Sequence, residues 1–98
     1  MSPVLSGEQR KIVEDVLSAN LPDGFEVRVF GSRARGSPRP LSDLDLAVIG
    51  PSALTLSQLA DLAEAFCESD LPFKVDIVDL LSVDPAFRER VEREAVAL

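Results

Sequence analysis

The chain has 98 residues, room for one small domain with one modest core and not for two. Its formal net charge of −7 excludes a general nucleic-acid coat, because affinity for a phosphate backbone needs a basic surface. Histidine is absent and Cys67 is the single cysteine, which excludes Ser-His-Asp and Cys-His catalysis, His-ligated zinc and an internal disulfide.

Composition places the rest within ordinary globular limits. With no Trp and no Tyr, the core must be built from Leu, Val, Ile, Ala and five Phe. Cys67 falls in an apolar helical register and is expected as a buried structural thiol. The N-terminal MSPVLSGEQRK lacks the apolar stretch of a signal peptide, and no apolar run approaches membrane-spanning length. A cytoplasmic protein with no membrane contact is expected.

Ser6-Gly7-Glu8-Gln9 has the form of a capping box, with Ser6 as N-cap. Ile12, Val13, Val16 and Leu17 then make one stripe, so the pattern predicts an amphipathic helix to about Asn20. Leu21-Pro22-Asp23-Gly24 supplies turn chemistry. Phe25, Val27 and Val29 alternate with Glu26, Arg28 and Phe30, the pattern of a half-buried strand. From Gly31 to Ser42 the chain holds Gly, Ser, Pro and Arg with almost nothing to bury. This stretch reads as a functional loop opening with one helical turn at Ser32–Arg35. Leu44, Leu46, Val48 and Ile49 predict a second strand ended by Gly50-Pro51. Thr55 and Gln58 form another capping box, and the helix it starts is expected to run to about Glu68, burying Leu56, Leu59, Leu62, Ala63 and Phe66. Phe73 to Val78 is expected as a third strand. Asp84-Pro85 has the form of an N-cap with proline at the first helical position, starting a helix that runs through Phe87, Val91 and Ala95 close to the C-terminus. The order predicts a three-stranded sheet covered on one side by helices, its other side free for a site.

Chemistry concentrates at GSRARGSPRPLSDLD, residues 31–45. Gly31-Ser32 closes the first strand, ten residues intervene, and Asp43-Leu44-Asp45 opens the second. Two carboxylates two positions apart on a strand point to the same face, about 6.5–7 Å apart at Cα, so their tips can converge on one metal ion or a pair. Magnesium takes oxygen ligands, usually one or two carboxylates plus substrate phosphates. A Gly-Ser turn offers backbone N–H groups and a hydroxyl to phosphate oxygens. Arg28, Arg33, Arg35 and Arg39 lie within this neighbourhood, and no carboxylate occurs between Glu26 and Asp43. That suits a small anionic ligand better than a long polyanion. Asp76, between Val75 and Ile77 in the third strand, must face water, a partner charge such as Lys74, or an ion, and is the candidate third carboxylate. Asp79 falls at the strand end and reads as a cap.

The pattern of Gly-Ser, ten residues, Asp-x-Asp and a later strand Asp resembles the DNA polymerase β-like nucleotidyltransferase superfamily. FGSRARGSPRPLSDLDLAVIG is similar to the minimal nucleotidyltransferases, the MntA-like antitoxins of two-gene HEPN/MNT toxin–antitoxin modules. The resemblance covers essentially the whole chain and implies a single minimal nucleotidyltransferase domain over residues 1–98. The implied architecture is α+β and two-layered, a small mixed β-sheet of three or so strands with helices on one side. It further implies that Gly31 and Ser32 contact the nucleotide phosphates, with Arg33 and Arg35 matching the basic positions after them, and that Asp43, Asp45 and Asp76 bind Mg2+, two ions in all, with ATP as substrate. About twenty residues follow the third strand, so the acceptor is expected to be presented by another protein. The implied activity is transfer of AMP to a hydroxyl, a tyrosine, of a cognate helical HEPN-type toxin, within a hetero-oligomer and without direct nucleic-acid binding. The rival readings are nucleotidylation of a small molecule held by a helical partner subunit, and a non-catalytic antitoxin acting by occlusion.

Overall fold

The computed structural model describes residues 5–34 and 43–98. The chain order is α1 (Gly7–Asn20), β1 (Glu26–Phe30), β2 (Leu44–Ile49), α2 (Leu56–Cys67), β3 (Val75–Asp79), α3 (Pro85–Glu94) and β4 (Val96–Ala97). Each helix starts where its cap requires. Ser6 and Gln9, and again Thr55 and Gln58, exchange both hydrogen bonds of the capping box, and the Asp84 carboxylate accepts from the Ala86 and Phe87 N–H groups.

The sheet runs β3-β2-β1-β4. β1 pairs antiparallel with β2 and β4, whereas β2 pairs parallel with β3. A parallel neighbour needs a crossover of a dozen or more residues, and α2 supplies it. Strand alternation then sorts the side chains. Val29, Leu44, Leu46 and Val48 face α1 and α2 and join Val13, Leu17, Leu62 and Phe66 in the main core. On the other face Ala47 and Val78 meet Val91 and Phe87 of α3, and Phe87 packs edge-on against Phe30 with ring centroids 6.2 Å apart. Asp45 and Asp76 share this second face and stay partly exposed.

Four details differ from the sequence expectation. α3 packs on the sheet face opposite α1 and α2, so the helices do not all lie on one side, because Phe87 and Val91 bury the apolar end of that face at Phe30, Ala47 and Val78. The last helix stops at Glu94 rather than passing through Ala95. Ala95 is an extended C-cap, and Val96–Ala97 instead pair with the outer edge of β1, adding a fourth strand. Four residues of Ala-Val-Ala-Leu are too few to separate helical from strand periodicity, and the unpaired edge of β1 decides it. Arg10 of α1 donates to the Leu98 carbonyl and pins this end. In α2 the buried stripe is narrower than expected: Leu62 and Phe66 are buried, whereas Ala63 is exposed and Leu56, in the first turn, is 86% exposed. Cys67 is exposed as well, because Phe66 takes the inward position and the next residue turns about 100° away.

Asp79 is 3% exposed, and its carboxylate accepts from the Leu54 N–H at 2.7 Å and the Leu81 N–H at 3.0 Å. It joins the entrance of α2 to the exit of β3. Asp79→Ala strands a buried donor, and the expected loss is about 1–3 kcal/mol in urea-unfolding free energy. Asp79→Asn keeps an acceptor oxygen and should lose less.

Candidate functional site

Gly31 ends β1 in a left-handed conformation, φ +76°. A Cβ placed there would collide with the Asp45 carboxylate. Two independent constraints, backbone hand and close approach, therefore demand glycine at this position. The Gly31 N–H donates to Oε1 of Glu94 at 3.2 Å. Ser32 follows in the Gly31–Ala34 turn, half-buried.

Strand register assembles the carboxylates. Phe30 pairs with Asp45, and Asp45 pairs in turn with Asp76 across the parallel β2–β3 ladder. Paired residues share a face, so Asp45 and Asp76 stand side by side with Cα atoms about 5 Å apart. Asp43 is exposed just before β2, and the alternation continues that face to it. Like charges directly opposite on neighbouring strands are destabilising. Lys74 offsets part of this, its Nζ lying 3.4 Å from Oδ1 of Asp76, although so exposed a pair contributes little to stability.

Arg33 sits differently from the surface position expected of a phosphate contact. It is 5% exposed, with its guanidinium 4.1 Å from the centroid of the Phe73 ring. Burial lowers its pKa from the ordinary arginine value by desolvation. In this position it clamps the Gly31–Ala34 turn to the approach of β3 by cation–π contact. Arg35, like Arg39, lies outside the described residues. Glu94 is the site neighbour that sequence reading missed. A glutamate in the last turn of an exposed helix carries no local signal, and only packing of α3 against β1 brings it to Gly31.

The donor chemistry fits a hard divalent cation: Asp43, Asp45 and Asp76 offer only carboxylate oxygens. Among the described residues no three acidic, histidine or cysteine side chains are drawn together closely enough to hold a metal by themselves. Magnesium does not require that, since it keeps several waters and takes ligands from the substrate phosphates. The face is open. A concavity of about 570 Å3 lies along the β3 edge, where Leu59, Phe66, Phe73, Val75 and Ile77 give it apolar walls unsuited to a triphosphate, although Asp76 also lines it.

The chain belongs to the family described as Polymerase beta, Nucleotidyltransferase, whose sequence profile matches residues 16–98. It is 38% identical over 94 residues to the Haemophilus influenzae protein named probable protein adenylyltransferase MntA, spanning 96% of this chain and 82% of that one. Among solved structures it is similar to one described as a minimal nucleotidyltransferase, with 42% identity, 93% of each chain covered and a TM-score of 0.70. It is also similar to a chain of a toxin–antitoxin crystal structure with AMP-PNP, with 26% identity, a TM-score of 0.76, and 89% and 69% of the two chains covered.

Two substitutions test this geometry by stability alone. Gly31→Ala forces both a left-handed alanine and a clash with Asp45, and is expected to cost at least about 1–2 kcal/mol in chemical denaturation. Arg33→Ala should lower the melting temperature through lost packing on Phe73 while leaving Mg-ATP affinity within about twofold. A selective loss of nucleotide affinity in the Arg33 variant would instead make it a phosphate ligand.

Proposed function

We propose that this protein transfers AMP from Mg-ATP to a hydroxyl, a tyrosine, of a HEPN-type helical toxin and so acts as the antitoxin of the pair. The observation that carries the reading is the in-register Asp45–Asp76 pair beside the Gly31 turn. Its support from relatives is the adenylyltransferase name of a protein matched over most of its length, and an AMP-PNP-bound toxin–antitoxin structure of the same fold.

In this reading Gly31 and Ser32 hold the nucleotide phosphates, with Arg35 as a further phosphate contact. Asp43, Asp45 and Asp76 would hold magnesium, two ions, and the bound metal would supply charge neutralisation to the transfer. The acceptor hydroxyl oxygen forms a bond to the α-phosphorus as the bond from that phosphorus to the bridging oxygen breaks. Pyrophosphate leaves, and the Asp76 carboxylate accepts the hydroxyl proton. The open face leaves the acceptor to be presented by the partner. No helix among the described residues is long and apolar enough to cross a membrane, and a cytoplasmic location belongs to the same proposal.

The purified protein, mixed with Mg-ATP and the helical protein encoded beside it, should add the mass of one or more AMP groups to that partner. Asp76→Asn should fold normally by circular dichroism and lower the transfer rate roughly 10²–10⁴-fold. Full neutralisation of the toxin by an Asp43→Ala/Asp45→Ala variant would refute transfer as the basis of protection and favour occlusion.

A further inference from the structure

β3 is the outer strand of the sheet, and among the described residues no strand pairs with its far edge. Its ladder to β2 uses the backbone of every second residue. The Leu44 N–H donates to the Lys74 carbonyl, and the Leu80 N–H donates to the Val48 carbonyl, within one parallel register. The backbone N–H and C=O groups of Val75 and Ile77 therefore point away from β2. Their side chains pack on the α2 side of the sheet and, with Leu59, Ala63 and Leu71, line the concavity of about 570 Å3. Asp76 lines it too, its side chain alternating to the face of the candidate site. The rim of this groove has one sign of charge. No lysine or arginine occurs between Arg39 and Lys74. Glu64, Glu68 and Asp70, each next to a lining residue, are exposed and make no ion pair among the described residues.

We propose, resting on the transfer reaction of the proposed function, that this edge is where the acceptor protein docks. A basic and apolar extended segment of that protein, a tail or a loop between its helices, adds to β3 as a further strand. Backbone hydrogen bonds to Val75 and Ile77 hold the segment, and the groove selects its side chains. Residues opposite Val75 and Ile77 share their face and fill the groove, whereas the alternate residues come up beside Asp76. A hydroxyl side chain at one of these alternate positions is delivered to the carboxylate that takes its proton. Cross-strand neighbours stand about 4.5–5.5 Å apart at Cβ, and long aromatic side chains reach the diagonal position as well. Lysine or arginine flanking the apolar residues meets the acidic rim. A second copy of this chain lacks that complementarity, since it would set Glu64, Glu68 and Asp70 against their own kind on a chain of net charge −7.

The single thiol, Cys67, is exposed and lines the groove, so it reports occupancy. The wild-type protein is mixed with the helical protein encoded beside it, without nucleotide, and alkylation of Cys67 by iodoacetamide is followed by mass spectrometry. Saturating partner should slow alkylation roughly tenfold, and amide hydrogen exchange at Val75 and Ile77 should slow with it. A helix seated in the groove would protect Cys67 yet leave both amides exchanging, and that result, like no protection at all, overturns the proposal. So does sedimentation of the protein alone as a dimer with both amides already protected. Charge is tested on the transfer itself. Glu64→Lys/Glu68→Lys, at exposed positions of α2, should raise KM for the partner roughly tenfold and leave kcat and KM for Mg-ATP unchanged. Ala63→Arg, which sends a long cation into the groove, should act in the same direction, and circular dichroism establishes that both variants fold. Transfer with wild-type KM in both variants overturns this docking mode and leaves the proposed reaction standing. Protection of Cys67 and of both amides without any transfer upholds the docking edge and sinks the proposed reaction instead.

Discussion

The parallel pairing of β2 with β3 is the constraint on which the rest of the molecule depends. Parallel strands cannot be joined by a tight turn, so the chain must leave the sheet after Ile49, cross one face and return at Val75. That excursion is α2, and its burial of Leu62 and Phe66 against Leu44, Leu46 and Val48 closes the main core. Each fully buried side chain of this kind contributes about 1.5–3 kcal/mol, so the core that stabilises the domain also fixes where β3 lies. Asp79, bonded to the Leu54 N–H at the other end of the crossover, resists sliding. Side chains alternate with a period of two, and a slip of one residue would turn Asp76 into the apolar layer. The position of a candidate catalytic carboxylate is thus set by hydrophobic packing on the opposite face of the sheet.

The two faces pull in different directions energetically. The α1–α2 face is satisfied by apolar burial, with the buried Asp79 carboxylate hydrogen-bonded at its edge. The other face sets two carboxylates side by side and presses one of them against a glycine with no room for a Cβ. Nothing in folding stability favours that arrangement, since like charges across a ladder repel. Local conflicts of this kind, in an otherwise consistent sequence, are where function is expected. The buried arginine beside the turn stacks on Phe73 and ties the turn to the approach of β3.

Among the described residues the candidate site lies on a sheet face that α3 covers at the end near Phe30 and Ala47. In the proposed reading the domain holds a nucleotide through backbone groups and metal-binding carboxylates, and the acceptor approaches from solvent.

Much of this was readable in the residues themselves. The capping boxes at Ser6 and Thr55, the proline after Asp84 and the period-two runs around Val27, Leu46 and Ile77 fix the helix starts and strand positions, because those signals act within a few residues of where they occur. The GS-x10-DxD spacing likewise points to the metal–phosphate chemistry, since Gly31, Asp43 and Asp45 lie at the facing ends of two strands that are consecutive in the chain and paired. Tertiary structure decided the rest. Whether Asp76 stood beside Asp45 or apart from it depended on strand order and direction, to which periodicity is blind. The inward turn of Arg33, the outward turn of Cys67, the conversion of the last residues into a strand and the reach of Glu94 to Gly31 all depend on which surfaces remain unpaired once the core has closed. Local propensity acts over a helical turn or a strand alternation, whereas these contacts join residues up to 63 positions apart, and only the folded packing brings them together.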